Sequence, residues 1–294
     1  MEQMRYEIKP CVEGDADYIW EKDWEAYGSL VPTEKDEEGE SFVLKVVDEN
    51  DAIIGGCVMS IDTSKQAEFA RLWVDERYRR QGMASALIRA AERAAREKGC
   101  HTVINDYSFD FQASRQLFEK HGYWLIGVAK DWPRGYDHYV LIKRFNGCSE
   151  GYDCPKPLDA AAFKIGSGSE EDGEIIADKL EEYNTSFAPR SHPYLPLEKK
   201  VVDDQGNIIG GCIAGVSGWD TLHVDTIWVD EPYRNRGIGS FLLSEIEREA
   251  KAKGAYIARA DAMDLQALFL KKHGYGVYAV YEDDPKWDLM QKLL

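Results

Sequence analysis

Apolar and polar positions run through the same succession twice in this chain. In the first half, Phe42-Val43-Leu44-Lys45-Val46-Val47, the polar break Asp48-Glu49-Asn50-Asp51 and the apolar run Ile53 to Met59 predict strand, turn and strand. A third strand is expected from Phe69 to Val74. A helix follows whose apolar face carries Met83, Leu87, Ala91 and Ala94, and Gly99 closes it. Then come a strand at Thr102 to Asn105, a helix ending at His121, and closing strands. The second half repeats this with strands at Lys200 to Val202, Ile208 to Val216 and Leu222 to Val229. Its helix carries Ile238, Leu242, Ile246 and Ala250, closes at Gly254, and precedes a strand at Tyr256 to Ala260 and a helix ending at His273. Each half opens with a strand, near Tyr6-Glu7-Ile8 or Ala162-Phe163-Lys164. A helix through Ile19-Trp20 or Ile175-Ile176 follows. The predicted fold class is α/β: two tandem domains, each a mixed, mostly antiparallel sheet with helices on both faces.

The residues themselves repeat as well as their pattern. Ile53-Ile54-Gly55-Gly56-Cys57 returns as Ile208-Ile209-Gly210-Gly211-Cys212, and Trp73-Val74-Asp75-Glu76 returns in the same register as Trp228-Val229-Asp230-Glu231. Lys120-His121-Gly122-Tyr123 returns as Lys272-His273-Gly274-Tyr275. Several separate blocks in register mean a duplicated domain. The expected division is an N-terminal domain over 1–146, a linker over 147–158 and a C-terminal domain over 159–294, paired within the chain as a pseudo-dimer. The linker is rich in Gly and Pro and has no apolar period. It holds Cys148 and Cys154, which have no further ligand at metal spacing, so no metal site is expected.

Composition narrows the partners. A formal charge of −17 argues against coating a nucleic acid, which needs clustered Lys and Arg, and favours cationic small molecules such as amines. No apolar run reaches the roughly 20 residues of a membrane span, and Met1-Glu2-Gln3-Met4-Arg5-Tyr6 lacks the pattern of a secretory signal. Six scattered cysteines suit reduced thiols, so a cytoplasmic location is expected.

The chemistry centres on the turn between the third strand and the long helix: Arg79-Arg80-Gln81-Gly82-Met83-Ala84 and Arg234-Asn235-Arg236-Gly237-Ile238-Gly239. A glycine turn entering a helix presents backbone N–H groups that no helical carbonyl can satisfy. With the positive end of the helix dipole these form a pocket for a phosphate or pyrophosphate, and the arginines add charge. A kinase-type loop would need Gly-Lys-Ser/Thr and a dinucleotide fold Gly-x-Gly-x-x-Gly; neither occurs.

With its Trp-Val-Asp-Glu strand end before it and Lys-His-Gly-Tyr after, each copy resembles a GNAT-superfamily N-acetyltransferase. In that family the pyrophosphate loop reads Arg or Gln, two residues, Gly, one residue, then Gly or Ala. The resemblance implies acetyl-CoA as cosubstrate, with its pantetheine arm paired like an added strand to the main chain of Leu72-Trp73-Val74 and Ile227-Trp228-Val229. It implies direct transfer of the acetyl group to a primary amine of a small-molecule acceptor. In some members a glutamate six residues before the terminal valine of that strand is the base, and the matching positions are Glu68 and His223, with Asp225 on the same face as His223. The general-acid tyrosine of many members has no counterpart: Phe118 and Leu270 stand there. The rival expectation is therefore a duplicated module that binds acyl-CoA without turnover, as a sensor. Cys57, Cys212, His121 and His273 read as packing or capping residues, and Tyr136, His138 and Tyr139 as either acceptor lining or sheet packing.

Overall fold

A computed structural model of the chain describes residues 7–19, 22, 40–62, 65–106, 111–131, 134–145, 165–281 and 286–294. The linker with Cys148 and Cys154, the expected strand at 162–164, and Trp132-Pro133 lie outside them. In the first repeat the strands are β1 (Glu7–Pro10), β2 (Glu40–Val47), β3 (Ile53–Ile61), β4 (Gln66–Val74), β5 (Thr102–Asn105), β6 (Trp124–Ala129) and β7 (His138–Arg144). Its helices are α1 (Met83–Glu97) and α2 (Phe111–Lys120), and residues 15–19 are also helical. The second repeat has β8 (Ile165–Gly168), α3 (Glu170–Phe187), β9 (Leu195–Pro196), β10 (Lys199–Val202), β11 (Ile208–Ser217) and β12 (Thr221–Val229). It continues with α4 (Ile238–Ala252), β13 (Ile257–Ala262), α5 (Asp264–Lys272), β14 (Gly276–Tyr281) and β15 (Trp287–Leu293).

These elements form two mixed sheets. One runs β6-β7-β5-β4-β3-β2-β8; the other runs β1-β10-β11-β12-β13-β15-β14 with β9 added to β11. In each, one pair is parallel, β4 with β5 and β12 with β13, and the remaining pairs are antiparallel. Of the apolar faces that periodicity assigned to α1 and α4, Met83, Leu87 and Ala91 pack on Met59, Phe69 and Val103, and Ile238, Leu242 and Ile246 pack on Val216, Leu222 and Ala258, while Ala95 rather than Ala94 is buried in the last turn of α1.

The sheets do not follow the repeats. The compact units are Glu34–Lys130 with Tyr136–Pro189, here the first unit, and Met1–Thr33 with Asp131–Gly135 and Arg190–Leu294, here the second. The opening strand and helix of each repeat have changed places. β1 pairs with β10 of the second repeat, and β8 pairs with β2 of the first. The division at 146 and 159 read from the repeat therefore differs from the division into compact units. The physical reason is degeneracy: the receiving edges are chemically alike. A side chain at Gly56 would run into Ile176 of α3, and one at Gly211 into Ile19. Both isoleucines are fully buried. Lys45 grips Asp172 in the first turn of α3 at 2.8 Å, and Lys200 grips Asp15 at 2.5 Å. The Lys45 hydrogen bond, with those of Ser169, holds the Asp172 carboxyl down at about 2. Own and exchanged pairing thus offer the same contacts, and a local pattern cannot distinguish them. Next to the expected strand at 162–164, β8 occupies the glycine-rich Ile165–Gly168, a segment of low strand propensity whose pairing with β2 decides its conformation.

The exchange has a crossed consequence. Truncating a buried isoleucine costs about 2–5 kcal/mol. Ile19→Ala, in the first repeat, is expected to lower hydrogen-exchange protection in β10–β12, and Ile176→Ala in β2–β4. Protection lost instead from the sheet of the variant's own repeat would overturn the exchange.

Candidate functional site

Two features meet at the same end of each sheet. The first is a gap beside the third strand of the pattern. Among the described residues β4 pairs with β5 at Gln66, Ala67 and Glu68, and β12 with β13 at Thr221, Leu222 and His223. Beyond those positions no described strand pairs with the remainder of β4 and β12 on that side, including Leu72-Trp73-Val74 and Ile227-Trp228-Val229. A β-bulge lies at the start of each open stretch. Val58 and Met59 face Arg71 and Phe69, leaving Ala70 extra; Ile213 and Ala214 face Thr226 and Val224, leaving Asp225 extra. Such a bulge bends the strand and re-aims its side chains. Ala67 and Phe69 point into the α1 core before it, and Leu72 and Val74 do so after it, so the alternation reverses across one residue. Trp73 and Trp228 are buried, as are Val74, Met83 and Ile238, so at these positions the main chain is what remains to offer a ligand.

The second feature is the glycine turn. Gly82 and Gly237 are the N-caps of α1 and α4, with φ of 86° and 85°, and have no side-chain cap. Arg80 and Asn235 are also left-handed, at 63° and 61°, so both loops share one backbone course. A Cβ at Gly82 or Gly237 would meet nothing within 4 Å, which leaves the space over the helix N-terminus open to an anion. The fit to a pyrophosphate is thus one of backbone donors and room. Arg79 and Arg234 have a structural part in the turn. Their Nε atoms donate back to Val74 O at 3.0 Å and Val229 O at 2.8 Å, and so brace the turn against the strand end. Arg79 also lies 4.1 Å from the ring centroid of Tyr183 on α3. Gln81 Nε2 donates to Arg77 O, and Arg80 and Arg236 are exposed. Ala84 and Gly239 occupy the same helical position. A Cβ at Gly239 would make ordinary contacts with Phe269 and Val229, the nearest at 3.6 Å. Gly239→Ala is accordingly expected to leave the course of the turn unchanged and to raise stability by up to about 1 kcal/mol, measured by thermal unfolding.

A partly buried ion pair ties each turn-bearing helix to the sheet. Lys143 of β7 reaches Glu92 of α1 at 2.7 Å, and Lys292 of β15 reaches Glu247 of α4 at 2.7 Å. The hydroxyls of Tyr123 and Tyr275 lie beside these carboxylates, and burial, then the carboxylate, raises both phenols far above their usual range.

The candidate bases occupy one register. Glu68 stands opposite Ile104, and His223 opposite Arg259. Glu68 and His223 are half-buried on the face away from α1 and α4. Burial, with the Arg259 charge added, pushes the His223 imidazole down to about 4, so it is neutral at neutral pH. Asp225, the bulge residue, reaches solvent yet is crowded by protein, and that desolvation raises its carboxyl. Two tyrosines that the sequence reading missed frame this site. Tyr194 lies where a side chain at Gly215 would be, and Tyr278 accepts a hydrogen bond from Arg259 Nη2.

Other residues singled out in the sequence fall elsewhere. Phe118 and Leu270 are core residues, so neither sheet presents a hydroxyl there. His273 caps α5 and its Nδ1 lies 2.9 Å from Phe269 O; His121 ends α2, where burial and neighbouring cations push it down to about 4. Cys57 and Cys212 are buried, and that burial raises both thiols, Cys57 to about 12. His138 is fully buried, with Nε2 2.9 Å from Asp106 Oδ1. Among the described residues no group of three or more His, Cys, Asp or Glu is placed to hold a metal, and no helix is long and apolar enough to cross a membrane.

The chain is similar to proteins already known. An acetyltransferase of known structure from Bacillus cereus ATCC 14579 is 37% identical, over 45% of this chain and 97% of that one, with a TM-score of 0.42. The PaiA N-acetyltransferase of Thermoplasma acidophilum, solved in complex with coenzyme A, is 20% identical over 43% of this chain and 80% of that one, with a TM-score of 0.30. Blasticidin-S acetyltransferase of Streptomyces morookaense is 34% identical over 84 residues, 28% of this chain; the chain spans 61% of that relative's length. The sequence pattern of the Acetyltransferase (GNAT) family matches residues 2–123 and again 162–275. Both repeats are covered, and the chain belongs to the GNAT acetyltransferase family.

Proposed function

We propose that this chain transfers an acetyl group from acetyl-CoA to the primary amine of a small molecule by direct attack, in the cytoplasm. The observation that carries the reading is the coincidence, in both units, of an open strand edge with an uncapped, glycine-entered helix N-terminus. The turns at 79–84 and 234–239 suit the pyrophosphate, and the main chain of 72–74 and 227–229 suits the pantetheine amides as an added strand. Acetyl-CoA supplies the thioester carbonyl carbon that the amine attacks. Glu68 in the first unit, and His223 with Asp225 in the second, stand on one sheet face where the proton of the attacking nitrogen can be taken. The nitrogen becomes far more acidic as it bonds to the carbonyl, so a weak base such as the depressed His223 suffices. A thiolate with a pKa near 8.5 takes its proton from water without a dedicated acid. The acidic surface draws cationic amines, and the described cysteines Cys11, Cys57, Cys100 and Cys212 are free thiols, in keeping with a reducing compartment.

A second reading has one observation behind it. Phe118 and Leu270, both buried, occupy the places of the family's general acid, which suits a module that binds acyl-CoA without turnover. Incubating the full chain with acetyl-CoA and a panel of primary amines separates the two. Thiol release matched by N-acetylated product supports transfer. Calorimetric binding of acetyl-CoA with no thiol released across the panel assigns the chain to binding alone.

A further inference from the structure

The glycine turn of the first unit contains a residue in a strained conformation. Arg80 is left-handed at φ 63°, and a side-chain-bearing residue stays there only where its surroundings fix it. Arg79, immediately before it, is held by three contacts. Its Nε donates to Val74 O at 3.0 Å, its Nη1 lies 3.6 Å from Glu76 Oε1, and its Cζ stands 4.1 Å from the ring centroid of Tyr183 on α3. Of the three, only Tyr183 is distant in sequence. The sheet decides how it arrives there. A side chain at Gly55 would run into Met83 of α1 and one at Gly56 into Ile176 of α3, so the two helices lie on opposite faces of β3. Ile176 and Tyr183 stand seven residues apart on one face of α3, a rise of about 10 Å. The turn thus leads the chain onto α1 on one side of the sheet, while Arg79 reaches back to α3 on the other. Because α3 belongs to the second repeat, the turn of one repeat is held by the opening helix of the other.

We propose that Tyr183 is a positioning residue for acetyl-CoA: its ring holds Arg79, and Arg79 keeps the turn on the strained course that aims its backbone N–H groups at the pyrophosphate. This rests on the reading of that turn as the cofactor site, and it adds a residue of the second repeat to the site of the first unit. A cation is attracted to the face of an aromatic ring, so the ring carries the effect and the hydroxyl does not. A turn that leaves its course binds with an affinity lowered by the fraction of chains still on it. At a partly exposed site such a contact is worth about fivefold in that equilibrium. The role asks nothing of Tyr183 at the reacting atoms, so the loss falls on binding and leaves the chemical step of bound acetyl-CoA alone.

The test uses the full chain with its second turn blocked by Gly237→Trp, so that acetyl-CoA titrated by calorimetry reads the first. Tyr183→Leu is expected to weaken binding about fivefold and to raise KM with kcat unchanged, whereas Tyr183→Phe keeps the unaltered affinity. Arg79→Lys lacks both the Nε–H and the planar group. It should lose at least as much, and adding Tyr183→Leu to it should cost nothing further. A second readout needs no ligand. The amides of Arg79 and Ala86, bonded to Glu76 O and Gly82 O, should exchange hydrogen faster in Tyr183→Leu, while those of Arg234 and Phe241, their counterparts in the second unit, hold. Unchanged affinity in Tyr183→Leu, an equal loss in Tyr183→Phe, or a Tyr183→Leu loss undiminished on top of Arg79→Lys overturns the role. Should Tyr183→Leu loosen β2–β4 as a whole, an Arg79→Lys chain of full affinity overturns it equally. Faster exchange at the turn in a chain that binds no acetyl-CoA upholds the hold of Tyr183 on the turn and rejects the cofactor reading. Acetyl-CoA bound with an affinity indifferent to Tyr183→Leu does the reverse.

Discussion

Replacing Gly82 and Gly237 together by tryptophan is expected to abolish acetyl-CoA binding to the full-length chain, measured by calorimetry. Each glycine has φ near +85°, where an L-residue pays about 1–2 kcal/mol. That strain alone weakens binding by about tenfold if the loop relaxes out of its course. The larger effect is occupation. Nothing lies within 4 Å of a Cβ built at either position, so an indole has room to fold there without disturbing the core, and it fills the volume an anion needs. A combined loss of at least about a hundredfold is expected, with each single variant retaining the other unit's site at half stoichiometry. Gly82→Ala separates the causes, because it keeps the strain and removes most of the obstruction. Acetyl-CoA affinity that persists in the double tryptophan variant, with the protein folded, would remove both turns from cofactor binding.

The parts of this site that the sequence disclosed are those carried by local backbone chemistry. The glycine turn, the helix it opens and the strand before it each have a short-range cause, and the strands begin and end within a few residues of the pattern. Duplication strengthened the reading, since one loop course appears twice down to the left-handed Arg80 and Asn235. What escaped depends on partners distant in sequence. The exchange of β1 and β8 was hidden because Gly56 with Lys45 and Gly211 with Lys200 offer equivalent seats to either opening helix. Duplication, informative for the loop, is there the source of the ambiguity. The bonds from Arg79 and Arg234 Nε to the last carbonyl of the strand before each turn also escape a sequence reading, since only the folded turn brings the two groups together. Arg259 carried a faint signal, the one cation in a strand that otherwise holds Ile257, three alanines and Asp261. It gained meaning only when the parallel register placed it beside His223.

The two proposed bases can be tested against each other because the units keep separate loops. In a chain whose second loop is blocked at Gly237, Glu68→Gln is expected to lower turnover by about 10²–10⁴-fold with acetyl-CoA affinity barely changed. In a chain blocked at Gly82, His223→Gln should do the same to the second unit. The pH dependence then distinguishes His223 from an ordinary imidazole. Burial and the Arg259 charge disfavour its protonated form and place its pKa at about 4 rather than 6.5. It is therefore neutral, and able to accept a proton, at pH 8 and at pH 6 alike. The ratio of unaltered to His223→Gln turnover cancels the ionisation of the amine, since both enzymes see the same substrate, and it should be equal at the two pH values. An imidazole at 6.5 would be mostly charged at pH 6, and the ratio would shrink about fourfold. Such a shrinkage would mean that His223 is solvated rather than buried against Arg259, and a ratio near one at both values would leave the proton to Asp225.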